Sequence, residues 1–152
     1  MKLKKTLWLS IACLLCLWAS QAQAVSITIF NTGVDATGTV LLNGTVGDPH
    51  YTLTSVPLGS SMDTLVRTSA GGYPIPPYIG DNTLSSWIGP NNDSDLDSPS
   101  GTYRYETTFV LPVLFDPTTH TAQLTGGWVT DNEGLNIYIN GAPLGFTTGA
   151  TS

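Results

Sequence analysis

Three aspartates stand at alternate positions in the loop from Asn91 to Ser98, namely Asp93, Asp95 and Asp97. Oxygen ligands at i, i+2 and i+4 are how a calcium loop begins. The rest of the EF-hand pattern is missing: Ser98 stands where glycine is needed and Arg104 where the bidentate glutamate belongs. Two readings stay open, a structural Ca²⁺ site of another type or a solvated acidic loop. Asp131, Asn132 and Glu133 form a second polar cluster before Gly134. Such residues serve a turn by bonding their own backbone, with Gly134 supplying a positive φ. Asp131 and Asn132 are also suited to contact a polar ligand. Tyr73 and Tyr78 lie in the Pro- and Gly-rich run GGYPIPPYIG (71–80) and are candidates to stack on a sugar ring. Trp87 and Trp128 could do the same, but both fall in predicted strands, where a core role is the simpler expectation.

Catalytic chemistry has little to work with. His50 and His120 are the only histidines, and neither has a metal-ligating neighbour at helical or hairpin spacing. No Gly-x-Ser-x-Gly elbow occurs, and no cysteine follows Cys16. A pair of carboxylates could act on a glycosidic bond, but only across a deep cleft. A small sandwich rarely provides one, so the expectation is a protein that is not an enzyme.

The elements that must position these residues begin after a leader. Lys2, Lys4 and Lys5 precede an apolar run from Leu7 to Trp18, and Ala22-Gln23-Ala24 supplies a small-x-small site. This is the pattern of a signal peptide cleaved after Ala24, and its apolar run is short for a transmembrane span. Residues 25–152 are then one exported domain, with no membrane insertion after cleavage. Beyond Ala24 the basic residues are Arg67 and Arg104, set against eleven acidic ones. So acidic a chain is a poor partner for nucleic acid or anionic lipid, which need Lys and Arg to displace counterions. Both cysteines lie in the leader, so a hydrophobic core rather than a disulfide must hold the domain.

Within the domain the hydrophobic periodicity is that of strands. Strands are predicted over 25–30, 39–42, 51–56, 63–67 and 84–88. The longest runs over 103–111, with Tyr103, Tyr105, Thr107, Phe109 and Leu111 on one face and Arg104, Glu106, Thr108 and Val110 on the other. The stretch 121–140 reads as two strands joined by Asp131-Asn132-Glu133-Gly134, with Leu135, Ile137 and Ile139 pointing into the core. Asn140-Gly141 is a strong hairpin-turn pair. No segment after the leader keeps helical spacing. Short strands at regular intervals predict an all-β fold, a sandwich or barrel.

Trp87-Ile88-Gly89-Pro90, GTYRYETTFVLP (101–112), LTGGWVTDNEGLNIYINGAPLG (124–145) and Asp48-Pro49-His50-Tyr51 together resemble a galactose-binding-like jelly roll. The pattern is similar to the sugar-binding domain of family 2 glycoside hydrolases. It is more similar still to a module of exported bacterial proteins that often carry a PEP-CTERM sorting signal. The resemblance implies an antiparallel β-sandwich that normally continues past the Asn-Gly turn, so a chain ending at Ser152 is expected either to lack its last strands or to be a compact variant that closes with fewer. It implies a non-catalytic module, secreted or at the cell surface, that binds extracellular polysaccharide or surface glycan. A matrix scaffold without a small ligand, or a detached accessory domain of a glycoside hydrolase, are the alternatives, because this fold hosts many functions.

Overall fold

The computed structural model describes residues 27, 29–91 and 98–149. The expected leader, the predicted first strand apart from residues 27, 29 and 30, and the acidic loop 92–97 lie outside the described residues. The chain divides into two units, one of residues 1–27 and 111–122 and the other of 28–110 and 123–152.

In the larger unit the described residues contain no α-helix. Among the same residues a single 3-10 turn occurs, at Ser69–Gly71, and the regular pairing is all antiparallel, in three two-stranded ladders. β1 (Thr52–Ser55) pairs with β4 (Arg104–Glu106), and a bulge between Leu53 and Ser55 shifts their register. β2 (Leu65–Arg67) pairs with β3 (Trp87–Gly89), which sets Arg67 opposite Trp87. β5 (Tyr138–Ile139) and β6 (Ala142–Pro143) form a tight hairpin. Its turn is Asn140-Gly141, both at positive φ (50° and 81°), the conformation that makes this dipeptide a hairpin signal.

The core gathers around β1 and β2. Val34, Leu53, Leu65 and Val66 are its buried apolar residues. Burying such side chains stabilises by about 1.5–3 kcal/mol each. The free edge of β2 is closed by residues 44–48: Gly44 N–H donates to Val66 O, Val66 N–H to Thr45 O, and Gly47 and Asp48 N–H to Thr64 O. Buried Thr64 also turns its hydroxyl oxygen to the Leu53 amide at 3.1 Å, tying β1 to the start of β2.

Asp48 is the buried polar hub of this region. Its carboxylate accepts the Gly33 N–H at 2.5 Å and the His50 and Tyr51 N–H groups at 2.8 Å each. Tyr51 donates its hydroxyl to Phe30 O at 2.9 Å, and the His50 ring lies flat on Phe30 with centroids 3.8 Å apart. The four residues 48–51 thus fasten the segment 30–35 to the β1 side of the core.

Several predicted strands are shorter than the sequence suggests. Residues 39–42 supply one bridge, Val34 to Val40. Of 103–111 only β4 is paired, although the half-buried and exposed positions alternate as expected along 103–111. Residues 121–130 form no strand, and the expected hairpin across 131–134 is absent. Gly134 instead pairs with Thr148, exchanging two backbone hydrogen bonds and accepting no partner from 121–130. Leu135 is 53% exposed and Ile137 and Ile139 are half-buried, so this apolar face does not form the predicted core.

The smaller unit is described at residue 27 and over 111–122. Asp116 organises it, accepting from the Thr118 amide and hydroxyl through its side chain and from the Thr119 and His120 amides through its carbonyl. The Thr118 hydroxyl holds the Asp116 carboxyl below the usual aspartate range.

Candidate functional site

Three aromatic side chains converge where β3 meets the loop after the 3-10 turn. Trp87 opens β3. Tyr73 meets its indole edge-on at 5.3 Å and Tyr78 does so at 6.1 Å, while the two tyrosine rings lie 5.6 Å apart. These are the offset and edge-to-face geometries that aromatic quadrupoles favour. The loop is pinned at both ends. Asp81 accepts from the Ser69 amide and hydroxyl, and the Trp87 indole N–H donates to Ile79 O at 2.9 Å. Inside the loop the Tyr78 amide closes a turn onto Ile75 O, and the Tyr73-Pro74 and Pro76-Pro77 bonds are cis.

Arg67 completes the cluster. The β2–β3 register puts it opposite Trp87, and its guanidinium carbon sits 4.7 Å from the Tyr73 ring centroid, a cation–π contact. Among the described residues it makes no ion pair, whereas Arg104 pairs with Glu106 at 3.3 Å. Arg67 was not among the residues singled out by motif. Its signal was the pairing of the two predicted strands 63–67 and 84–88, which brings one of the domain's two basic residues against the tyrosine loop.

Asp131 arrives from a distant part of the chain. The Tyr73 hydroxyl is buried and has no hydrogen-bond partner of normal geometry. Burial first, and the neighbouring Asp131 charge second, push its pKa well above the ordinary tyrosine value, with Arg67 acting the other way. Tyr73 and Tyr78 are therefore in contact, and Asp131 lies near enough to Tyr73 for its charge to act on the hydroxyl. Asn132 is exposed beside Asp131, and its backbone carbonyl accepts the Thr130 hydroxyl at 2.6 Å. The tyrosines are not the freely exposed rings that a surface loop suggests: both are half-buried, because each packs on Trp87.

Trp128 belongs to a separate contact. A Cβ on Gly134 would overlap the Trp128 ring and the Thr148 hydroxyl oxygen. Gly134 is not at positive φ; it is glycine because the indole occupies the space a side chain would need. His50 and His120 are engaged with the Asp35 and Asp116 carbonyls. Among the described residues no three His, Cys, Asp or Glu side chains converge to hold a metal ion. Asp93, Asp95 and Asp97 lie outside the described residues. A shallow cavity of about 210 Å³ between Gly59–Ser61 and Pro90, Ser98 and Pro99 contains none of the expected site residues.

No protein-family model, curated protein or solved structure matches the chain.

Proposed function

We propose that this chain is an exported, non-catalytic β-sandwich module of galactose-binding-like jelly-roll type that binds extracellular polysaccharide or surface glycan. The observation that carries the reading is the convergence at Tyr73. Two loop tyrosines and Trp87 offer apolar ring surface, Arg67 offers donors, and Asp131 offers acceptors. A sugar has an apolar ring face and a rim of hydroxyls, and this mixture suits both. Affinity electrophoresis of the exported chain through a panel of neutral and acidic polysaccharides tests it. Retardation by at least one polysaccharide, lost in Tyr78→Ala and reduced in Asp131→Ala, is expected. Free migration through the whole panel overturns it.

A second reading has its own observation. Arg67 covers one face of Tyr73, and Trp87 receives both tyrosines edge-on, so much of the ring surface is used internally. That arrangement favours a matrix scaffold with no small ligand. It makes the aromatic cluster a clasp for the loop, and the Tyr78→Ala protein would then lose stability without losing any binding. A structural Ca²⁺ at Asp93, Asp95 and Asp97 is compatible with either reading.

A further inference from the structure

Among the described residues the outer edge of β4 is open: β1 covers one side of this strand, and no other described strand pairs with it. The chain runs on through Thr107, Thr108, Phe109 and Val110, and among the described residues these make no backbone hydrogen bond. The alternation of half-buried and exposed positions continues unbroken from Tyr103 to Val110, with Val110 87% exposed. An edge of this length, rich in Thr, Tyr, Phe and Val and free of Gly and Pro, is a template for another strand.

We propose that the occupant is the same edge of a second copy, paired antiparallel about a two-fold axis at Thr107. Three observations select it. First, the stretch from Arg104 to Val110 sets its two aromatic residues symmetrically about Thr107, Tyr105 before it and Phe109 after it. That register sets Tyr105 opposite Phe109 of the second copy and Thr107 opposite itself, the aromatic and Thr–Thr pairs that stabilise antiparallel sheets. Second, it opposes no like charges: Glu106 faces Thr108, and Arg104 faces Val110. Third, the stretch carries one basic and one acidic residue, already paired with each other, on a chain that is otherwise strongly acidic. Two such chains can approach along this neutral edge with little of the repulsion their other surfaces impose. A two-fold pairing of identical edges is also closed, which leaves no growing end.

The register makes a signed prediction. Val110→Arg places a cation opposite Arg104 twice per dimer, whereas Val110→Glu places an anion there, and both lose the same valine. Sedimentation equilibrium of the exported chain should show a monomer–dimer equilibrium. Val110→Arg should weaken it and Val110→Glu should preserve or tighten it, each by roughly 2- to 30-fold, the range spanned by two cross-strand charge pairs. A geometric test introduces single cysteines into the exported chain, which has none of its own after Ala24. Thr107→Cys would meet its own copy at about 4.5–5.5 Å between Cα atoms, within disulfide reach, and Val110→Cys would not. Rapid cross-linking of Thr107→Cys alone supports the pairing. A chain that stays monomeric at all concentrations, two Val110 variants that behave alike, or equal cross-linking at both cysteines overturns it.

Discussion

The buried carboxylate of Asp48 accepts the backbone N–H of Gly33, fifteen residues earlier in the chain, at 2.5 Å. With the His50 and Tyr51 amides it satisfies three donors at once, and each would otherwise be left without a partner beside the core.

Asp48→Ala should therefore lower stability by roughly 3 kcal/mol, the scale of losing hydrogen bonds to a charged acceptor while stranding their donors. Urea denaturation followed by tryptophan fluorescence measures it. Asp48→Asn, which keeps one acceptor oxygen, should fall between the two. A fully stable Asp48→Ala protein would show that segment 30–35 is held by something else.

Gly134→Ala should destabilise by about 1–3 kcal/mol, because the added methyl overlaps the Trp128 ring and the Thr148 hydroxyl. Changing Trp128 to Leu in the same chain should restore part of the loss. A thermal melt of the single and double variants distinguishes this steric cause from a conformational one, in which Trp128→Leu would give no rescue.

Tyr105 gives a pH signature. Burial pushes its pKa from the usual 10.0 up to about 12. A folded-state pKa above the unfolded one means that the stabilisation is complete below pH 10 and is lost as pH rises toward about 12. Denaturation midpoints measured across that window should fall, with a total loss on the order of 2 kcal/mol from this group. Tyr105→Phe should remove this group's share of the dependence. The raised pKa of Tyr73 acts in the same direction, so Tyr73→Phe should flatten part of what remains.

Trp87→Ala should free the loop 71–83. It removes the indole on which Tyr73 and Tyr78 rest and the hydrogen bond to Ile79 O. Chymotrypsin should then cut after Tyr78 faster than in the parent chain, Tyr73 being protected by the proline that follows it. Equal rates would mean that Asp81 and the Pro-rich backbone suffice to hold the loop.

For the acidic loop, heating with and without EDTA decides between the calcium and solvated readings. A midpoint that drops with EDTA and recovers with excess Ca²⁺, with the effect lost in Asp95→Ala, assigns a metal to Asp93, Asp95 and Asp97. An unchanged midpoint leaves them solvated.

Local signals were the most legible in the sequence. Alternation located β1, and β2 and β3 to within about a residue at their C-terminal ends, and the Asn140-Gly141 pair located the β5–β6 turn. Long-range choices were not legible. The polar run Asp131 to Gly134 has every property of a hairpin connection, yet Thr148 captures the Gly134 amide through both its carbonyl and its hydroxyl oxygen. Nothing near Gly134 in the sequence announces that partner. In the candidate site, residue type pointed to Tyr73, Tyr78 and Asp131, whereas Arg67 required knowing which strand lies beside β3. Asn132 followed only from its position next to Asp131.

The two arginines have a further consequence. After Ala24 the chain has no lysine, so Arg67 and Arg104 are the only places where trypsin can cut the domain. Both lie within paired strands, and each guanidinium rests on a tyrosine ring, Arg67 on Tyr73 and Arg104 on Tyr138. A protease needs several residues of free, extended backbone, which neither site offers while its strand is paired. The folded domain is thus nearly invisible to trypsin, and the fragment 68–104 becomes a direct count of molecules that have opened both ladders.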